Sequence, residues 1–234
     1  MAIRIQMQLN EKLFLRDPQD TRLGRSIIKY SIVLIHELGF ERFTFKKLAE
    51  RIESTEASIY RYFENKHLLL LYLLGWYWEW TRFQLDFNTN NIDDPKEKLR
   101  IAIATIVNTS KRNDTIDFVD EDLLHDVVVV EGVKGYHSKE VDKENKDGFF
   151  ATYKALAGTI AGFIREINPQ FTYPASLAST LLEMAKDQTY FAEHLPRLSD
   201  VKIENGDLSQ VEALLMDFAF RLIAPEEYVP TPSE

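Results

Sequence analysis

The chain has 234 residues, 45% of them hydrophobic and 28% charged, enough apolar material for one or two domains with a buried core. It has no cysteine, which excludes disulfides, thiolate metal sites and cysteine nucleophiles. The net charge of −9 is uneven: residues 1–70 carry 12 Lys+Arg against 9 Asp+Glu, net +3, and the remainder 16 against 28, net −12, so a weakly basic module on an acidic body can meet phosphate through one face.

Residues 1–20 form a charged lead-in that closes on the turn signal Asp17-Pro18-Gln19-Asp20. Residues 1–16 lack the apolar core of a signal peptide, and no apolar stretch nears the roughly 18–20 residues that span a bilayer. The expectation is a cytoplasmic protein with no membrane partner. Thr21 caps a first helix, with Leu23, Ile27, Ile28, Leu34, Ile35 and Leu38 at near-helical spacing, and Gly39 stops it. Thr44 caps a short helix from Phe45 to about 51–52. After a break at Glu53-Ser54, a second short helix runs over about 55–63, and Glu64-Asn65 makes the next turn. A long helix follows over about 66–87, then a polar loop over 88–94, and Pro95 starts another helix. Further helices are expected at about 96–110, 118–131, 145–167, 175–195 and 208–223. The breaks between them are Asn113-Asp114, Gly132 to Gly135, Asn168-Pro169, Pro196 and Asn205-Gly206. The last helix carries one apolar stripe, Leu208, Val211, Leu214, Leu215, Phe218 and Leu222. The run Val127 to Val130 is the one place where a strand is conceivable, and its flanks fit a buried helix better. A proline-rich tail begins at Pro225. The fold class is therefore all-α.

The two short helices carry the functional signal. A close crossing needs a small residue on the first helix, which Ala49 supplies, and an apolar residue in the angle, which Ile59 supplies ten positions later. Phe45, Leu48 and Ile52 complete the inner face. This is the pattern of a helix-turn-helix, whose second helix enters a major groove about 12 Å wide. The outward positions of that helix are Thr55, Glu56, Ser58, Tyr60, Arg61 and Tyr62, a set suited to phosphates and base edges. Thr44 and Lys46 before it, and Lys66 after it, are placed to clamp the DNA backbone on either side.

The stretch Gly39-Phe40-Glu41-Arg42-Phe43-Thr44-Phe45-Lys46-Lys47-Leu48-Ala49-Glu50-Arg51, with Thr55-Glu56-Ala57-Ser58-Ile59-Tyr60-Arg61-Tyr62-Phe63-Glu64-Asn65-Lys66, resembles the signature of the tetracycline-repressor (TetR) family. The match covers roughly residues 22–70. Two residues depart from the family's pattern. Glu53 stands where the family usually has a turn glycine, at a cost on the order of 1 kcal/mol if the backbone keeps φ > 0. Glu56 stands where the family often has lysine, and a carboxylate there repels phosphate, though it can accept from cytosine N4.

The resemblance implies an N-terminal three-helix helix-turn-helix domain and a C-terminal helical ligand-binding and dimerisation domain. The boundaries expected are 1–20 for the lead-in, 21–70 for the DNA-binding domain, 71–224 for the helical body and 225–234 for the tail. It implies a ligand-responsive repressor, a homodimer on a palindromic double-stranded DNA operator that a small-molecule effector releases, with no catalytic role and no cofactor. Equivalent late helices form a four-helix interface in this family, which points to 145–167 and 175–195 here.

Seven aromatics, Tyr72, Trp76, Tyr77, Trp78, Trp80, Phe83 and Phe87, crowd the long helix, and Trp76, Trp80, Phe83 and Phe87 share one face. Read alone, they are core packing between head and body. The resemblance implies a ligand cavity beside this helix, for which these four are the candidate walls. The acidic run Asp117, Asp120, Glu121, Asp122 and Asp126 reads as a solvated face with helix-start charge. The histidines His36, His67, His125, His137 and His194 are scattered, and no metal site is expected. Two rivals to a regulator stay open on the residues alone. One is a helical small-molecule-binding protein, the other a protein–protein adaptor, each keeping the helix corner without binding DNA.

Overall fold

A computed structural model describes residues 6–109 and 116–224. The expected tail from Pro225, the break at Asn113-Asp114 and the first five residues lie outside that range. Among the described residues there are helices and no strand: α1 (Arg22–Leu38), α2 (Phe45–Arg51), α3 (Glu56–Tyr60), α4 (Lys66–Thr89), α5 (Pro95–Val107), α6 (Glu121–Glu131), α7 (Val133–Tyr136), α8 (Val141–Lys146), α9 (Ala151–Ile167), α10 (Pro174–His194) and α11 (Ser209–Ile223). No helix among them is long and apolar enough to cross a membrane.

The helix starts are set by side-chain caps. The hydroxyls of Thr21, Thr44 and Thr55 accept from the backbone N–H groups of Gly24, Lys47 and Ser58, and the carboxylates of Asp94 and Asp120 accept from Lys96 and Leu123. Each cap satisfies a donor that the first helical turn leaves unpaired. Gly39 ends α1 at φ +76, a conformation that L side chains resist.

The chain divides into two compact units, the described residues of 1–80 with 110–153, and of 81–109 with 154–234. In the first unit α1 packs against α2 and α6. Ile27, Ile28, Ile32 and Ile35 of α1 and Val127 and Val128 of α6 are buried, so the Val127–Val130 run is helical and the strand alternative is set aside. In the second unit α5 packs against α10 and α11 through Leu99, Ile103, Leu181, Leu182, Val211 and Leu215, all buried.

Two features of the organisation go beyond or against expectation. From residue 6 the charged lead-in is a strap packed on the first unit, with Met7, Leu13 and Pro18 buried. The Gln19 side chain accepts from the Met7 N–H (3.0 Å) and donates to the Met7 carbonyl (2.8 Å). The Asn10 amide donates to the Asp147 carbonyl at 2.8 Å, and the Lys12 ammonium meets the Asp147 carboxylate at 2.6 Å. That hydrogen bond holds the Asp147 carboxyl below its usual range. Second, the single helix expected over 145–167 is two, α8 and α9, broken at Gly148, where φ is +85. An ideal Cβ at 148 would lie 3.0 Å from the Asn10 amide nitrogen, so the strap packs tightly against the break.

Candidate nucleic-acid interface

The α2–α3 corner closes as its residues require. Phe45, Leu48, Ala49 and Ile59 are buried, and the Ser54 N–H reaches back to the Ala49 carbonyl at 2.9 Å. Glu53 takes φ +51. The turn thus keeps the left-handed geometry that suits glycine, with a strain on the order of 1 kcal/mol, and is not rearranged.

The outer surface of this corner is polar and open. Thr44, Lys46, Thr55, Glu56, Tyr60 and Arg61 are exposed and Ser58 is half-buried. The Thr55 hydroxyl lies 3.0 Å from that of Ser58 while it caps α3. Tyr60, 48% exposed, rests edge-on against the Phe45 ring at 5.0 Å, which steers its phenol outward from a fixed base. Glu56 lies in the first turn of α3, where the helix dipole favours a carboxylate.

Two expected surface residues are turned inward. Tyr62 is 3% exposed. Its hydroxyl is 2.8 Å from that of Thr21, and its carbonyl accepts from the Leu15 N–H at 2.8 Å. The reason is spacing: Tyr62 follows the buried Ile59 by three positions, which puts both on the inner face. The Lys66 ammonium donates to the carbonyls of Phe40 (2.9 Å), Glu41 (3.1 Å) and Phe43 (3.3 Å) and lies over the Phe40 ring at 4.6 Å. Its charge is engaged with the turn that leads into α2.

That turn is gripped from a second side by a residue that sequence reasoning misses. Glu131, at the end of α6, accepts from the Phe40 N–H at 2.9 Å and pairs with Lys134 at 2.5 Å. The Glu131 hydrogen bond raises the Lys134 pKa. No local signal marks Glu131, because its partner is 91 positions away.

The four aromatics expected to wall an effector cavity separate. Trp76 and Trp80 stack at 6.0 Å and are buried in the core, whereas Phe83 is 40% and Phe87 75% exposed. A small cavity of about 10 Å³ in the first unit lies instead among Leu74, Gly75, Trp78, Tyr136, Phe150 and Tyr153. That is space for about one water molecule. None of the four lines it.

Residues 27–73 match the family model described as bacterial regulatory proteins, tetR family. No curated protein matches the chain significantly. Among solved structures, the chain is similar to SmeT, the repressor of the Stenotrophomonas maltophilia multidrug efflux pump SmeDEF. Identity is 18% and the TM-score 0.60, over 93% of this chain and 97% of that one. It is similar to AibR in complex with isovaleryl coenzyme A and operator DNA (15% identity, TM-score 0.56, 85% and 97% covered). It is also similar to the superantigen PfiT (13% identity, TM-score 0.57, 86% and 95% covered). At these identities the likeness shows the fold. A pump repressor, a regulator held on operator DNA and a superantigen share it, so the fold alone does not carry a function.

Proposed function

We propose that this chain, which belongs to the tetR family of bacterial regulatory proteins, is a ligand-responsive repressor that binds a palindromic DNA operator as a homodimer. The observation that carries this reading is the α2–α3 corner. Its inner face is apolar and buried, and its outer face presents Thr44, Lys46, Thr55, Tyr60 and Arg61. Thr44, Lys46 and Arg61 serve as phosphate contacts, Thr55, Ser58 and Tyr60 as neutral groove contacts, and Glu56 tempers the attraction. Two such corners about one helical turn apart, roughly 34–36 Å, fit adjacent major grooves. The helices α9 and α10 supply the subunit interface. The head is residues 21–70 and the effector-binding body residues 71–224, acting in the cytoplasm where the DNA is.

An effector shifts DNA binding only if it binds the DNA-competent and incompetent states unequally. SmeT represses a multidrug efflux pump, and AibR is seen with an acyl thioester, isovaleryl coenzyme A. For this chain the effector is an apolar or aromatic small molecule bound beside the second half of α4, near the exposed Phe83 and Phe87. Trp76 and Trp80, packed in the core, then act as fluorescence reporters rather than as walls.

The test is in vitro selection of bound DNA followed by salt titration on the recovered site. Arg61→Ala should lower the magnitude of the log K against log salt slope of the dimer by about two units, one for each subunit. Lys66→Ala should lower thermal stability and leave that slope unchanged, because its charge already serves three carbonyls. Failure to recover or retain any duplex at low salt overturns the regulator reading in favour of a helical carrier or adaptor.

A further inference from the structure

We infer that the strap of residues 6–21 extends the DNA-binding surface, and that Arg16 is a backbone-phosphate contact beside the end of the recognition helix. The inference rests on the DNA-binding reading above and adds a site that the helix-turn-helix motif does not contain.

The strap is a platform rather than a tail. It is fastened at Met7–Gln19 and at Asp147, as described. It is also held by the buried Leu13, by the Phe14 ring edge-on to Tyr72 at 6.0 Å, and by the Leu15 N–H on the Tyr62 carbonyl. A residue that follows Leu15 is therefore placed by contacts on both sides of it. Two residues on, the Asp17 carboxylate caps the turn at 18–20 by accepting from the Gln19 N–H at 2.8 Å.

Arg16 is exposed, and its guanidinium lies 5.6 Å from the centre of the Tyr62 ring. Tyr62 adjoins Arg61, the residue that closes α3. The burial of Tyr62 thus acquires a use: it braces an arginine at the end of the recognition helix instead of reaching DNA itself. An aromatic face under a guanidinium reduces the freedom that is lost when a phosphate binds. The planar fork suits two phosphate oxygens at once.

The charge accounting points the same way. Several head cations are already engaged: Lys12 by Asp147, Arg25 by the Gln19 carbonyl, Arg42 by the Leu38 carbonyl, Lys47 by the Arg42 carbonyl, and Lys66 by three carbonyls. No ion pair joins Arg16 to a carboxylate among the described residues. Its acidic neighbours are otherwise occupied, Asp17 by its cap and by Gln6, and Asp20 by Gln6. Arg16 takes the phosphate role that the motif spacing would give to Lys66.

The experiment measures the affinity of the full chain for a random-sequence duplex of roughly 30 base pairs, three helical turns, across about 50 to 200 mM salt. Arg16→Ala, which removes one contact from each of the two heads, should reduce the magnitude of the salt slope of the dimer by about two units and weaken binding alike on any sequence. Arg16→Lys should restore the slope. Arg16→Gln, which keeps a stem over Tyr62, should lose it as fully as alanine does, separating charge from packing. Lys12→Ala, whose charge is already paired, should leave it unchanged. If Arg61→Ala lowers the slope while Arg16→Ala and Arg16→Gln do not, the strap site is overturned and the regulator reading stands. If the unaltered chain shows no salt-dependent binding, the regulator reading itself fails.

Discussion

The two units of the chain are held together by different means. In the first, side chains repeatedly seize backbone atoms: Lys66 and Glu131 on the 39–43 turn, Asn10 on the Asp147 carbonyl, and Gln19 on Met7. In the second, buried Leu99, Ile103, Leu156, Ile160, Leu181 and Leu215 meet as apolar stripes. Its side-chain grips on backbone from another element are fewer, the clearest being Asn168 on the Ile223 carbonyl at 2.8 Å. A hydrogen bond to a backbone atom fixes a position and a residue type, because a lost partner leaves a buried group unpaired. Apolar packing needs only volume and spacing, and many sequences satisfy it. On the proposed function the first unit presents a surface to a partner of fixed geometry, and its motif is readable for that reason; the second is specified by volume and spacing.

The harshest way to break the comparison is at Gly24, where the strap crosses α1. An added Cβ would lie 2.2 Å from the Pro18 carbonyl oxygen and 2.5 Å from its Cα. Both are backbone atoms, so no rotamer relieves the overlap. Gly24→Ala should cost about 3 kcal/mol or more, at the upper end of overpacking effects, read as a lowered midpoint in urea. A variant with unchanged stability would mean that the strap is not a fixed part of the first unit.

Removal of a single backbone grip comes next. Glu131→Ala leaves the buried Phe40 N–H without its acceptor and Lys134 without its nearer partner. The expected loss is about 1–3 kcal/mol, the penalty of an unsatisfied buried donor. DNA affinity should fall further than Arg61→Ala alone explains, because the turn into α2 loosens. The measurement is chemical denaturation beside duplex binding. A loss of stability with DNA binding intact would show that the turn tolerates one grip, leaving Lys66 sufficient.

The legible parts of the fold are those governed by local rules. Thr21, Thr44 and Thr55 announce helix starts, and Ala49 with Ile59 announces the corner, because cap and crossing geometry act within about ten residues. Sequence reasoning errs where distant residues decide. Tyr62 is expected outward, but it lies three positions after the buried Ile59, shares its inner face and meets the distant Thr21 hydroxyl. Motif spacing gives Lys66 to phosphate, but three carbonyls hold it. Met7 and Leu13 carry no signal, because isolated apolar residues in a charged segment have no period. The break in the helix expected over 145–167 lies at Gly148, where φ is +85 and the Phe149 N–H reaches back to the Glu144 carbonyl at 3.0 Å, a glycine helix end that apolar periodicity alone passes over. In α4, Trp76, Trp80, Phe83 and Phe87 do lie within one helix. Their burial fades along it, and periodicity does not report that.

The smallest effect tests the second unit on its own terms. An ideal Cβ at Gly158 or Gly162, inside α9, would find no atom within 4 Å in the protomer. A glycine in an exposed helix interior costs roughly 1 kcal/mol relative to alanine, so Gly158→Ala and Gly162→Ala should each stabilise an isolated protomer by about that amount. The proposed dimer places α9 at the subunit interface, where a missing side chain lets a partner helix come close. There the added methyl groups should act against association. The expected outcome is therefore two shifts of opposite sign: a higher unfolding midpoint at concentrations where the chain is monomeric, and a weaker dimer by analytical ultracentrifugation. Stabilisation with an unchanged dimer would free α9 from the interface and turn attention to α11, where Phe218 and Leu222 are exposed. Neither effect exceeds a few kcal/mol, as expected for a region specified by spacing and volume rather than by individual bonds.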